Sequence, residues 1–99
     1  MSGSISVTLE LSGGAELMFA NTRLHTLEIP ADLTLQSFLL YLADEKMTDK
    51  RRDLFIQGDT VRPGMLVLIN DADWELEGEG EYVIQDRDVI HLISSLHGG

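Results

Sequence analysis

The side chains able to do chemistry are few in this chain, and they stand in no catalytic spacing. Its three histidines, His25, His91 and His97, are far apart, and neither a Ser-His-Asp nor a His-Glu-x-x-His arrangement occurs. His91 sits inside an apolar run, which reads as a hydrogen-bonded sheet-face or core histidine rather than a ligand. Asp71, Asp73 and Glu75 begin like a calcium loop. The sixth position of that loop, which needs glycine, is Leu76, and the twelfth is Tyr82, so the motif fails. A turn followed by a solvated acidic edge accounts for these carboxylates. Gly13-Gly14 lacks the lysine and the spacing of a phosphate cradle. The chain has no cysteine, which excludes disulfides, thiolate metal sites, cysteine nucleophiles and thiol redox chemistry. These residues compose no independent enzyme, no bound cofactor and no metal site.

The informative group is the end of the chain, Leu96-His97-Gly98-Gly99. With glycine at roughly 7% of residues, two terminal glycines coincide by chance in about 0.5% of chains. The tail follows an apolar stretch, so it reads as a short flexible arm on a rigid body. Glycines without Cβ atoms can thread a tunnel too narrow for side chains and bring a terminal carboxylate to an enzyme's reacting centre. Adenylation with ATP and magnesium turns that poor electrophile into a mixed anhydride. A sulfur nucleophile then gives a thiocarboxylate, and a lysine amine gives an isopeptide bond. Neither step needs a cysteine in the carrier.

Such a tail needs a body to present it. Ile5, Val7, Leu9 and Leu11 alternate with polar residues, the period-two pattern of a half-buried strand. Ser12-Gly13-Gly14 supplies a turn. Leu17-Met18-Phe19, an interruption near Ala20-Asn21-Thr22, and Leu24 to Ile29 then read as the second strand of a hairpin. Leu35, Phe38, Leu39 and Leu42 share one helical face, predicting an amphipathic helix from Leu35 to Lys46 capped by Thr34 or Asp32. Met65 to Ile69 is continuously apolar and reads as a strand buried on both faces. After the turn Asn70 to Asp73, Trp74 begins a short strand with Leu76, and Glu75 to Glu81 is a solvated acidic loop. Val89 to Ile93 is the last strand, expected at the centre of the sheet beside the first and buried on both faces. Trp74, Met18, Met65 and Phe55 read as core or sheet-face residues before they read as an interface. The sum is an α+β architecture in which one main helix packs across a mixed sheet, and the β-grasp fold is its natural instance.

Composition agrees with one such domain. Ninety-nine residues, 43% hydrophobic and 24% charged, suit a single globular core. We divide the chain into a domain over 1–95 and a tail over 96–99. The formal net charge of -10 opposes direct contact with nucleic acid or an anionic membrane, and Lys50-Arg51-Arg52, the one basic cluster, reads as a solvated helix end. No apolar run approaches a membrane span and no signal region opens the chain, which points to a soluble intracellular protein.

Longer motifs carry a resemblance. Leu54-Phe55-Ile56-Gln57-Gly58-Asp59-Thr60-Val61-Arg62-Pro63-Gly64, Val67-Leu68-Ile69-Asn70-Asp71-Ala72-Asp73-Trp74-Glu75-Leu76 and the ending Leu96-His97-Gly98-Gly99 closely resemble the eukaryotic ubiquitin-related modifier family, whose relatives include the bacterial sulfur carriers of molybdopterin and thiamine synthesis. Gly13-Gly14-Ala15-Glu16-Leu17 resembles that family's first turn and second strand. Departures lie in Leu33 to Lys46, in Lys50-Arg51-Arg52 and in Glu77 to Glu81. The resemblance implies a β-grasp carrier whose Gly99 is adenylated and thiocarboxylated by an ATP-dependent activating enzyme with a rhodanese-like domain. It also implies sulfur donation, through a tRNA thiolase complex, to wobble uridine of cytosolic tRNA, and conjugation to lysines of target proteins. A monomeric, cytoplasmic protein, with the nucleus as a second location, belongs to the same expectation. With Gly99 as its last residue, it is expected to need no maturation protease. Two other readings stay open at this point: the small subunit of a molybdopterin-type synthase, and a non-conjugating ubiquitin-like binding module. For docking the activating enzyme, the family implies an apolar sheet-face patch with acidic surroundings, drawn from among Leu27, Phe55, Met65, His91 and Leu96.

Overall fold

A computed structural model describes residues 3–94. The chain opens with strand β1 (Ser4–Ser12), whose alternation buries Val7, Leu9 and Leu11 on one face. Strand β2 (Leu24–Pro30) returns antiparallel to it, with Val7 opposite Leu27 and Ile5 opposite Ile29. Between them Ala15–Met18 forms a 3-10 turn rather than the expected first half of β2. Its Glu16 carboxylate accepts from the Gly14 amide at 3.0 Å, and Leu17 points to solvent while Met18 and Phe19 are buried. A strand would put Met18 and Phe19 on opposite faces, whereas the 3-10 turn and the bend after it let both reach the core.

Helix α1 (Leu35–Tyr41) starts where expected. Thr34 caps it, its side-chain oxygen accepting from the Ser37 amide. Leu35, Phe38, Leu39 and Leu42 are buried against the sheet, each worth roughly 1.5–3 kcal/mol of apolar transfer. The helix runs on through a wider π turn, Leu42–Lys46, closed by the Met47 amide on the Leu42 carbonyl. Its N-terminal end is tied to the segment before the last strand: Leu35 N–H donates to Tyr82 O and Ile84 N–H donates to Leu33 O.

A small hairpin of β3 (Ile56–Gln57) and β4 (Thr60–Val61) stands apart from the main sheet. Strand β5 (Met65–Ile69) turns through Asn70-Asp71 into β6 (Ala72–Asp73). Trp74–Glu77 is a 3-10 turn and not a strand, because the Asp73 carboxylate accepts from the Glu75 amide and Gly78 closes the turn with φ 96°. Glu79–Glu81 adds another 3-10 turn to the acidic stretch. The last strand, β7 (Val89–Ser94), lies at the sheet centre, parallel to β1 and antiparallel to β5, in the order β2-β1-β7-β5-β6.

This mixed sheet, grasping one main helix, is the expected β-grasp arrangement. One expectation about it fails. β5 and β7 are buried on the helix side only: Met65, Val67, Ile69, Ile90 and Leu92 face the core, while Leu66 on the other side is 49% exposed. A single helix layer covers a single face, so even central apolar strands keep an open side. No helix among the described residues is long and apolar enough to cross a membrane.

Candidate functional site

The residues marked by the sequence as the site, Leu96, His97, Gly98 and Gly99, lie outside the described residues. What the structure describes is the platform from which they depart. At the end of β7, Ser94 pairs with Met65, and Ile93 stands beside Ser12 of β1. Gly13, with φ +69°, lies directly against this strand end. A Cβ built there would collide with the Ser94 carbonyl oxygen and would approach Ile93 Cγ2 to 3.2 Å and Ser94 N to 3.3 Å. Only glycine allows both the left-handed turn and this approach. The turn after β1 therefore braces the last described residue before the tail.

The open face of the sheet lies at the same place. β5 contributes Leu66 and Leu68, β7 contributes His91 and Ile93, and β1 contributes Glu10 and Ser12, with Leu24 of β2 opposite Glu10. Leu24 is 60% exposed. His91 is held in place: its Nε2 is 2.8 Å from Ser12 Oγ, and its Nδ1 is 3.6 Å from a Glu10 carboxylate oxygen. The hydrogen-bonded sheet-face histidine read from the sequence is what the structure contains. This pairing positions the ring on the sheet.

Of the docking candidates, Phe55 and Met65 are buried in the core and Leu27 packs half-buried against it. Of the four that the structure describes, His91 alone stands on the open face; Leu96 lies outside the described residues. Leu66, Leu68, Ile93 and Leu24 were not singled out by sequence reasoning. Their signal is parity: in β5 Leu66 and Leu68 alternate with Met65, Val67 and Ile69, and in β7 Ile93 falls out of step with Ile90 and Leu92.

A second surface lies beside the helix. Gln36, Leu39, Asp59, Thr60, Trp74, Gly78, Glu79, Gly80 and Glu81 line an open groove of about 430 Å³. Trp74 is half-buried and packs against the core, as its sequence context suggests. Gly80 lets the acidic turn sit on the helix, since a Cβ there would lie 3.0 Å from Gln36 Cβ.

The strand β7 is held at its other end by a polar hub. Asp88, 6% exposed, accepts from Tyr82 Oη at 2.5 Å, Gln85 N at 2.8 Å and Asn70 Nδ2 at 2.9 Å, while Asn70 Oδ1 accepts from Val89 N. Burial, then the hydrogen bond to the Asp88 carboxylate, pushes the Tyr82 phenol well above the ordinary tyrosine range. At the helix end, Asp49 accepts from the Arg51 side chain and amide, which holds its carboxyl down at about 2. Arg52 pairs with Asp44. The basic cluster is thus a solvated helix end, two of its three cations tied to neighbouring carboxylates.

A mixed sheet with a parallel pair at its centre, one helix across one face and a C-terminal strand leading to a glycine pair defines a ubiquitin-like protein of the β-grasp class. Comparison with known proteins narrows this. The family model Urm1 (Ubiquitin related modifier) matches residues 6–99. A ubiquitin-related modifier 1 of Aspergillus oryzae is 53% identical over 103 residues, covering 98% of this chain and 86% of that protein. That of Bos taurus is 46% identical over 102 residues, with both chains fully covered. The solution structure of Urm1 from Trypanosoma brucei superposes with a TM-score of 0.82 at 36% identity, again over the whole of both chains. The chain belongs to the ubiquitin-related modifier family.

Proposed function

We propose that this protein is a sulfur carrier and protein modifier that acts through the carboxylate of Gly99. The observation that supports this most is the Gly98-Gly99 ending of a chain whose match to the modifier family runs through residue 99. The protein is a substrate rather than an enzyme. An ATP-dependent activating enzyme with a rhodanese-like domain, using magnesium, adenylates Gly99 and replaces one carboxylate oxygen by sulfur. The carrier itself binds no cofactor. The thiocarboxylate passes sulfur to wobble uridine of cytosolic tRNA through a thiolase complex that binds the RNA, which suits a carrier of net charge -10. Lysines of target proteins are the second acceptor. The carrier works as a monomer in the cytoplasm, with the nucleus as a second location.

In this reading the activating enzyme docks on the open sheet face, against Leu66, Leu68, Ile93 and the fixed His91, with Glu10 giving the acidic complement to a basic groove. Leu96 to Gly99 then extend into its active site. Deleting Gly98 and Gly99 tests the division of labour. Thiocarboxylate formation and tRNA thiolation are lost, while the unfolding midpoint stays nearly unchanged, because the buried cluster of the described residues, Val7 to Leu92, is left intact. A large loss of stability, or retained thiolation, contradicts the proposal. Replacing Gly99 by Trp separates it from a binding module, which would keep full activity.

A further inference from the structure

We infer that the modifier has an acceptor site of its own: Lys50 takes the activated Gly99 of a second copy, joining two chains through an isopeptide bond. The inference rests on the acyl activation of Gly99 proposed above.

The chain contains two lysines, Lys46 and Lys50, so a self-conjugate through a lysine has two choices. Both are exposed. They differ in what holds them. Lys46 ends the π turn after α1, and its ammonium lies 6.0 Å from the centroid of the Tyr41 ring, an attraction that restrains the side chain. Lys50 sits in an irregular bend whose backbone is anchored on both sides. Thr48 N–H donates to Met18 O at 2.8 Å, Asp49 N–H to the same carbonyl at 3.3 Å, and the Asp49 carboxylate clamps Arg51. Of the carboxylates around it in sequence, Asp49 is engaged by Arg51 and Asp44 by Arg52. Among the described residues no ion pair involves Lys50. A fixed backbone carrying an exposed amine that no ion pair holds presents a nucleophile.

Position supports the same residue. Met18, to which the 48–49 backbone is bonded, belongs to the turn that follows β1, and the glycine opening that turn abuts Ser94 at the end of β7. The Lys50 bend and the base of the tail are thus at one pole of the molecule. A junction there joins pole to pole and leaves Leu66, Leu68 and His91 on the sheet face uncovered.

The step balances without an oxidant. ATP converts the Gly99 carboxylate of the donor copy to its acyl-adenylate with release of pyrophosphate. The Lys50 Nζ lone pair attacks the acyl carbon, the C–N bond forms, and the C–O bond to phosphate breaks. AMP leaves with that bond's electron pair, and nitrogen releases one proton to water. The product has twice the 11.0 kDa of the chain less one water.

The test incubates the full chain with ATP, magnesium and the cognate activating enzyme, without other protein acceptors, and follows pyrophosphate release, intact mass and branched tryptic peptides. The expected product is a dimer with Gly99 joined to Lys50 Nζ, lost in Lys50→Arg and kept in Lys46→Arg. Pyrophosphate release without dimer, or a branch at Lys46 or at the amino terminus, overturns the Lys50 assignment while leaving Gly99 activation standing. Absence of pyrophosphate release removes the activation itself, and with it this inference.

Discussion

Replacing Gly13 by alanine tests how the fold braces the base of the tail, and Gly58 supplies the control. The two glycines have nearly the same backbone, φ +69° and +67°, but a Cβ at Gly58 meets nothing within 4 Å, whereas at Gly13 it meets the Ser94 carbonyl. The left-handed conformation costs alanine roughly 1–2 kcal/mol, offset by about 0.4–1 kcal/mol from the stiffer unfolded chain. Gly58→Ala should therefore lose about 1 kcal/mol. Gly13→Ala carries that loss plus the displacement of a strand end by a methyl group, about 1–3 kcal/mol more. The obstacle is backbone, so no side-chain rotation relieves it. At about 4–8 °C per kcal/mol for a domain of this size, the two variants should separate by several degrees in Tm. Urea unfolding of both, followed by the fluorescence of Trp74, gives the difference directly. Because the displaced strand leads to Gly99, Gly13→Ala should also slow thiocarboxylation while Gly58→Ala leaves it unchanged. Equal losses of stability in the two variants would refute the claim that the turn abuts the strand end.

Other consequences are narrower. Asp88→Ala leaves three donors without their buried acceptor and should cost about 3 kcal/mol in urea unfolding; a loss under 1 kcal/mol contradicts the hub. The raised Tyr82 phenol means the folded state keeps a proton that the unfolded chain gives up near pH 10. The linked stability is fully present below pH 10 and falls as pH rises above it towards the folded value, so unfolding titrations should show that alkaline fall in the native protein and a flatter one in Tyr82→Phe. Thr34→Ala removes the helix cap and should cost about 1 kcal/mol by the same assay. Leu66→Lys should raise the KM of the activating enzyme about tenfold or more, the worth of one buried leucine, with kcat and Tm nearly unchanged; an unaltered KM would move the docking surface elsewhere.

Much of the architecture is legible in residue order because amphipathic periodicity reports burial. Ile5 to Leu11 and Leu35 to Leu42 each bury one face, and Thr34 caps as its type suggests. The misread elements are those where local polar chemistry outweighs apolar content. Leu17-Met18-Phe19 looks extended, yet the Glu16 carboxylate on the Gly14 amide winds it into a turn. Trp74 and Leu76 alternate like a strand, yet the Asp73 side chain caps a 3-10 turn over them. The open face of β5 and β7 was hidden for another reason: an apolar run does not say how many layers will cover it. Leu66 and Leu68 become recognisable once a single helix is known to occupy one side. At the candidate site, Gly98 and Gly99 are legible from residue type alone, while the brace of Gly13 on Ser94 links positions 81 apart in sequence and has no local signature.

Intact mass reads out whether chemistry resides on the last carbonyl of this chain without thiols. The full chain is incubated with ATP, magnesium, a sulfur donor and the cognate activating enzyme, beside a Gly99-deleted variant. Replacement of one oxygen by sulfur is expected, located by fragmentation on Gly99 and absent from the variant. An unchanged terminus in the presence of an enzyme that activates another member of the family would contradict it.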